Sequence, residues 1–281
     1  MVTVQNETIS HLWVLPPGDT GSAREISTGR LDGLNFVAFA GNGNLYFEAP
    51  DSSGATQVWG TGPDGTGRRQ ITRGEGPTGT PVPCGDGRHL LFTSYRAGSP
   101  HVFQSDLDGG NIRQLTNGGH EYVHSCSPDG TWLTYRARDS KNLGVWRIPI
   151  DGGSPVRIWD LPTYSEISPD GRSVLVTGAN GKVSILPAGG GQPIKSFEDV
   201  PALVSFGVVR WSADGNALLY VKTVGGVSNV WQRPLNGGEP KQLTAFTSQR
   251  ITSFAVSRDG KRLALARGTT SSDVVLIRDL K

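Results

Sequence analysis

The amino-acid sequence predicts an all-β chain, a β-propeller of six four-stranded blades, and three observations carry that expectation. A turn tetrapeptide recurs at blade-length spacing, a second hairpin follows each copy, and one aromatic position repeats inside that second hairpin. The composition agrees, since 39 glycines and 18 prolines against one methionine describe short strands joined by tight turns, not helices.

The turn is Ser127-Pro128-Asp129-Gly130, which returns as Ser168-Pro169-Asp170-Gly171, Ser212-Ala213-Asp214-Gly215 and Ser257-Arg258-Asp259-Gly260. Looser copies are Cys84-Gly85-Asp86-Gly87 and Ala40-Gly41-Asn42-Gly43. Taking the Asp or Asn as marker, positions 42, 86, 129, 170, 214 and 259 are spaced by 44, 43, 41, 44 and 45 residues. A short strand precedes each marker and an apolar run follows, which makes strands A and B of a hairpin. A second hairpin, strands C and D, turns on Asp-Gly-Gly or Asn-Gly-Gly, as at Leu235-Asn236-Gly237-Gly238, where glycine supplies positive φ. Four strands per period, all joined by tight hairpins, make a propeller blade. A sandwich needs longer crossovers, and a parallel β-helix a shorter period.

Blades are expected to start near residues 36, 80, 122, 164, 205 and 253, with the whole chain, 1–281, a single domain. In strand C one slot holds Trp13, Trp59, Phe103, Trp146 and Trp231, and Ser184 in the fourth blade. Recurrence in successive blades marks it as packing between sheets. The chain opens with three strand-like segments (Thr3 to Gln5, Leu12 to Leu15, Arg24 to Ser27) and closes with three more (Phe254 to Ser257, Leu263 to Ala266, Val274 to Ile277). The simplest closure joins strand 24–27 to the segments in 253–281, which removes exposed sheet edges and leaves residues 1–15 over. Seven blades with incomplete ends is the alternative.

Taken together, the Ser-Pro-Asp-Gly turns, the Val-Trp strands, the Asp-Gly-Gly turns and the Gln-Leu-Thr endings resemble the TolB-like branch of WD-type repeats over nearly the whole chain. More narrowly, Val123-His124-Ser125-Cys126-Ser127-Pro128-Asp129-Gly130, Pro83-Cys84-Gly85-Asp86-Gly87 and the ending Asp273 to Leu280 are similar to the C-terminal sensor propellers of bacterial serine/threonine kinases and winged-helix regulators. That resemblance implies a non-catalytic bacterial sensor or scaffold propeller tethered to a signalling domain, and an extracytoplasmic or periplasmic place if it comes from a membrane-anchored kinase. Kinase motifs are absent from the sequence.

Charge excludes one class of partner: 27 Lys and Arg against 25 Asp and Glu leave a formal +2, too little for general nucleic-acid binding. Cys84 and Cys126 are too few for a disulfide framework and show no paired metal-ligand spacing, so they are expected to be packing residues. The first residues are polar and lack a signal peptide's apolar core, and no apolar run approaches the ~18 residues of a membrane span. No membrane contact by the chain itself is expected, and a monomer is.

Catalysis has little to stand on. No Gly-x-Ser-x-Gly elbow follows a strand. The marker Asp residues recur in every A-to-B hairpin and are read as turn-formers. His120-Glu121-Tyr122-Val123-His124 is the one histidine cluster, and resemblance to oligogalacturonate lyases, propellers with a histidine-held funnel metal, makes a metal-dependent polysaccharide lyase the second reading. Equivalent loops of the other blades supply no His. We therefore expect no catalytic residue, no metal and no cofactor. Binding is expected on the face opposite the marker turns, where loops converge on the channel. There Tyr95, Arg96, His120, Tyr122, His124, Arg136, Arg138, Lys222 and Arg267, with Glu48 the lone acid, would receive a protein partner or a small polar or anionic ligand.

Overall fold

Short runs rich in β-branched and aromatic residues, each bounded by a glycine turn, form the strands. The computed structural model describes residues 2–74, 76–178, 181–201 and 209–276, excluding the side chains of 2–6 and 272–276. The chain opens with β1 (Val2–Leu15) and β2 (Arg24–Glu25). Blade 1 is β3 (Val37–Phe39), β4 (Leu45–Pro50), β5 (Thr56–Thr61) and β6 (Arg69–Gln70). Blade 2 is β7 (Thr78–Pro83), β8 (His89–Ser94), β9 (His101–Asp106) and β10 (Arg113–Gln114). Blade 3 is β11 (Glu121–Cys126), β12 (Trp132–Ala137), β13 (Gly144–Pro149) and β14 (Val156–Trp159). Blade 4 is β15 (Ser165–Ile167), β16 (Ser173–Thr177), β17 (Val183–Pro187) and β18 (Lys195–Phe197). Blade 5 is β19 (Val209–Trp211), β20 (Ala217–Val224), β21 (Val227–Pro234) and β22 (Lys241–Gln242). Blade 6 takes β23 (Arg250–Val256) and β24 (Leu263–Leu276) from the end of the chain, and β1 and β2 from its start, in the order β2-β1-β24-β23. The described residues thus form six four-stranded antiparallel sheets, as the repeat predicts.

The closing blade differs from the expected one. Thr3 to Gln5 and Leu12 to Leu15 are one strand, as are Leu263 to Ala266 and the segment from Val274, and β1 runs antiparallel to β24 from Val2 opposite Leu276 to Leu15 opposite Leu263. Residues 2–15 are therefore not left over: Leu12 to Leu15 supply strand C, and the remainder of β1 continues with β24 as a two-stranded ribbon. The apparent surplus of strands is this extension, and the described residues contain no seventh blade. The expected fifth-blade start near 205 and residues 277–281 lie outside the described residues.

The repeated motifs have specific structural work. In four blades the marker Ser Oγ donates to the Asp Oδ1 at 2.5–2.6 Å, and both oxygens accept backbone N–H groups entering strand B. The Ser hydroxyl, then those N–H groups, holds Asp129, Asp170, Asp214 and Asp259 below the usual carboxylate range. In the Gln-Ile/Leu-Thr endings the Thr72, Thr116 and Thr244 hydroxyls accept the N–H of Val58, Val102 and Val230 at 2.9–3.0 Å, extending very short D strands. Each strand-C aromatic lies opposite a strand-B residue, as Trp59 opposite Phe47 and Trp231 opposite Tyr220. Buried residues of adjacent blades then interlock, for example Leu12, Ala264 and Ala266 of blade 6 with Val37, Leu45 and Phe47 of blade 1.

The cysteines are not simple packing residues. Cys84 and Cys126 form a disulfide, with Cα atoms 5.3 Å apart. The repeat explains the pairing, because it sets the same ends of the innermost strands of adjacent blades side by side. Gly85 permits the approach, since a Cβ there would collide with the Pro128 carbonyl.

Candidate functional site

Strand B ends in blades 1 to 3 build a patch on the face opposite the marker turns. Glu48, Thr93 and Arg136 occupy equivalent places in β4, β8 and β12, and Tyr122 of β11 lies opposite Arg136. The phenol oxygens of Tyr95 and Tyr122 are 3.0 Å apart, and the Arg136 guanidinium sits 4.8 Å from the centre of the Tyr122 ring. Burial, then the hydrogen bond to Tyr122, pushes the Tyr95 phenol up to about 12. Arg136 is buried, and burial, then Arg138, lowers its guanidinium to about 10. Arg138 is exposed, and its N–H donates to the carbonyl of exposed His120, a left-handed residue at φ 54°. Beneath Tyr95 and Tyr122 a cavity of about 280 Å³ extends to Asn35, Glu48 and Thr80. The Glu48 carboxylate accepts from Thr80 N–H at 2.6 Å and Asn35 Nδ2 at 3.2 Å, while burial pushes its carboxyl up.

Four candidates lie elsewhere. Arg96 folds over Phe92 and Phe103, with Nε donating to Ser94 Oγ at 3.0 Å. Lys222 stands over Trp231 at 5.1 Å, and Arg267 over Phe246 at 3.5 Å and Trp13 at 5.0 Å. Lys222 and Arg267 fall one residue later along strand B than Arg136, which places them on the other face of the pleat, against their own strand-C aromatics. His124 is buried in the channel wall. Its Nδ1 accepts the Ser165 N–H at 3.2 Å, so the neutral ring carries its proton on Nε2, an atom with no hydrogen-bond partner. Burial, then Arg136 and Arg138, holds this imidazole well below the usual histidine range. In that tautomer Nε2 is a donor and not a metal ligand, and the described residues contain no group of three or more His, Cys, Asp or Glu able to hold an ion.

The sequence reading missed a second site. Two residues before the marker Ser, or its Cys or Ala counterpart, the blades carry Ala38, Val82, Ser125, Glu166, Arg210 and Ala255, which together line the channel. Neighbouring blades thus place opposite charges in a ring of small or apolar residues, a signal visible once the repeats are aligned. Buried Arg210 bonds to several blades: Nε to Phe254 O at 2.7 Å, Nη1 to Tyr164 Oη at 3.1 Å, Nη2 to Val37 O at 3.5 Å, and Nη1 lies 3.6 Å from Glu166 Oε1. Burial pushes the Glu166 carboxyl up to about 7 against the opposing pull of Arg210. The described residues include no helix long and apolar enough to cross a membrane.

No protein-family model matches the chain. Among curated proteins, an uncharacterized protein of Agrobacterium fabrum is 24% identical over 152 residues, 49% of this chain and 52% of that protein. The Tol-Pal system protein TolB of Bordetella pertussis is 45% identical over 47 residues, 17% of this chain and 11% of that protein. The matched part therefore spans about half of the first and about a tenth of the second. Among solved structures, a protein assigned as TolB from Agrobacterium tumefaciens superposes with TM-score 0.69 at 18% identity, covering 94% of this chain and 99% of that one. TolB from Acinetobacter baumannii gives 0.63 at 17%, over 83% and 67% of the two chains. A chain of a nidogen/laminin complex gives 0.65 at 14%, over 90% and 96%. Blades, channel and these likenesses together make this chain a TolB-like six-bladed β-propeller in fold.

Proposed function

We propose that the chain is a non-catalytic recognition propeller, a single monomeric domain over 1–281, whose loop face on blades 1 to 3 binds a polar or anionic segment of a protein partner. The observation that carries this reading is the Tyr95–Tyr122 phenol pair, backed by Arg136, flanked by exposed Arg138 and open to the cavity beside Glu48. Rigid aromatics with one polar end and a nearby guanidinium are what protein-binding surfaces favour. A propeller chain in the nidogen/laminin complex supports the same use of the fold. The resemblance to sensor propellers supports reading it as the sensor or scaffold part of a larger signalling protein. The disulfide favours an oxidising, extracytoplasmic compartment. A lyase reading built on His124 is disfavoured by the Ser165 hydrogen bond that puts its proton on Nε2.

Binding to a phage-displayed peptide library tests the reading. Peptides selected on the wild type should be acidic or tyrosine-directed and should lose at least about tenfold in affinity on Arg138→Glu or Tyr95→Ala. Selected peptides that bind both variants unchanged would refute it.

A further inference from the structure

The second site points to the opposite face of the molecule. The marker turns, not the long loops, surround the mouth of a cavity of about 210 Å³, and Glu166 joins it to a deeper one of about 160 Å³ lined also by His124 and Arg210. That is room for a molecule several times the size of water. The floor is polar and incompletely satisfied: among the described residues, His124 Nε2 and Glu166 Oε2 are buried without a hydrogen-bond partner. His124 itself is 2% exposed. Arg210, tied to blades 1, 4 and 6, makes this floor rigid.

At the mouth the second residue of each marker turn is Gly41, Gly85, Pro128, Pro169, Ala213 or Arg258. Only Arg258 is long. Its exposed guanidinium reaches from blade 6 past blade 1 and donates to the Gly85 carbonyl of blade 2 at 2.9 Å. The charged side chains lining the two cavities are Arg258, Arg210 and Glu166, so their balance is positive.

We propose that the marker-turn end of the central channel is a binding pocket for a small carboxylate, held by His124, Glu166 and Arg210 and covered by the Arg258 side chain. One ligand oxygen accepts the proton on His124 Nε2. The other shares a proton with Glu166 Oε2, the arrangement two adjacent carboxyls adopt. Arg210 supplies the opposing charge without giving up its bonds to the neighbouring blades. A neutral amide of the same shape would satisfy the hydrogen bonds but forfeit that charge. Glu166 faces Arg210 and the backbone N–H of Trp211 in β19, Tyr164 beside its own strand, His124 of β11 and Arg258 at the rim; its proton is the one linked to binding. This site is independent of the loop-face reading.

The test is calorimetric and NMR titration of the full chain with acetate and with acetamide. Acetate should bind one site, about tenfold tighter at pH 6 than at pH 8 because Glu166 loses its proton between them. Acetamide should bind at least about tenfold more weakly than acetate at pH 6. Glu166→Gln should retain acetate binding and abolish its pH dependence, and His124→Gln should weaken it, with both variants checked for unchanged unfolding cooperativity. Arg258→Ala should speed exchange. Tyr95→Ala on the loop face should change none of this, which separates the outcome from that of the peptide experiment. No saturable acetate binding at either pH, equal binding of acetamide, or pH dependence surviving in Glu166→Gln would overturn the proposal.

Discussion

Opening the Cys84–Cys126 bridge should lower the stability of the folded chain by an amount calculable from its sequence separation. The bridge spans 42 residues, about one blade. A cross-link of that span removes about 4 kcal/mol of chain entropy from the unfolded state at 25 °C. For a chain of 281 residues, about 2 °C of melting temperature accompanies each kcal/mol, so the shift should be about 8 °C. The cleanest comparison is the oxidised protein against the same protein after reduction and thiol blocking by a small reagent, followed by calorimetry. Cys84→Ala with Cys126→Ala provides the second arm, in which the loss also includes the packing of one buried and one half-buried small side chain. A melting point within about 2 °C of the oxidised protein in both arms would refute the reasoning, as would two free thiols titrated in the unfolded, unreduced chain.

Two further outcomes follow from the channel. Arg210→Met leaves Glu166 without its cation and the Phe254 carbonyl without its 2.7 Å donor, and should cost about 3–5 kcal/mol in denaturant unfolding; a loss below about 1 kcal/mol would remove the role of Arg210 as a tie between blades. Glu166 keeps its proton in the folded state up to about pH 7, whereas an unfolded Glu releases it near 4.5. The folded state therefore holds the extra proton between those values, and this group's contribution to stability falls as pH rises from about 4.5 to 7. Relative to wild type, Glu166→Gln should gain up to about 3 kcal/mol on going from pH 5 to pH 8; a pH-independent difference would contradict the raised carboxyl.

What the sequence revealed was whatever repeats. The Ser-x-Asp-Gly turn is legible because the Ser hydroxyl and Asp carboxylate perform the same hydrogen bonding in four blades. Trp59 and Trp231 are legible because one slot opposite strand B must be filled in blade after blade. What escaped was whatever depends on comparing blades. Cys84 and Cys126 look isolated until the innermost strands are aligned, and then their ends prove to be neighbours. Glu166 and Arg210 look like ordinary strand residues until the same position is seen to be Ala38, Val82, Ser125 and Ala255 elsewhere. The β1–β24 ribbon was invisible for another reason: Asn6 to His11 and Arg267 to Asp273 lack alternating apolar residues, so they read as loops. Among the loop-face candidates, Arg136 is distinguished from Lys222 and Arg267 by a one-residue change of pleat, which composition does not record.

The ribbon of blade 6 has a mechanical consequence. Val2 and Leu276 sit opposite each other at its last described rung, so a load drawing these two residues apart acts across the ladder and not along it. The first rung carries the whole force, then the second, and the bonds part in sequence from Val2–Leu276 towards Leu15–Leu263. Every other blade is closed by its own hairpins, and the bridge between Cys84 and Cys126 locks blade 2 to blade 3. Tension on the paired ends would therefore unzip the ring at the β1–β24 seam while the remaining five blades still hold their sheets.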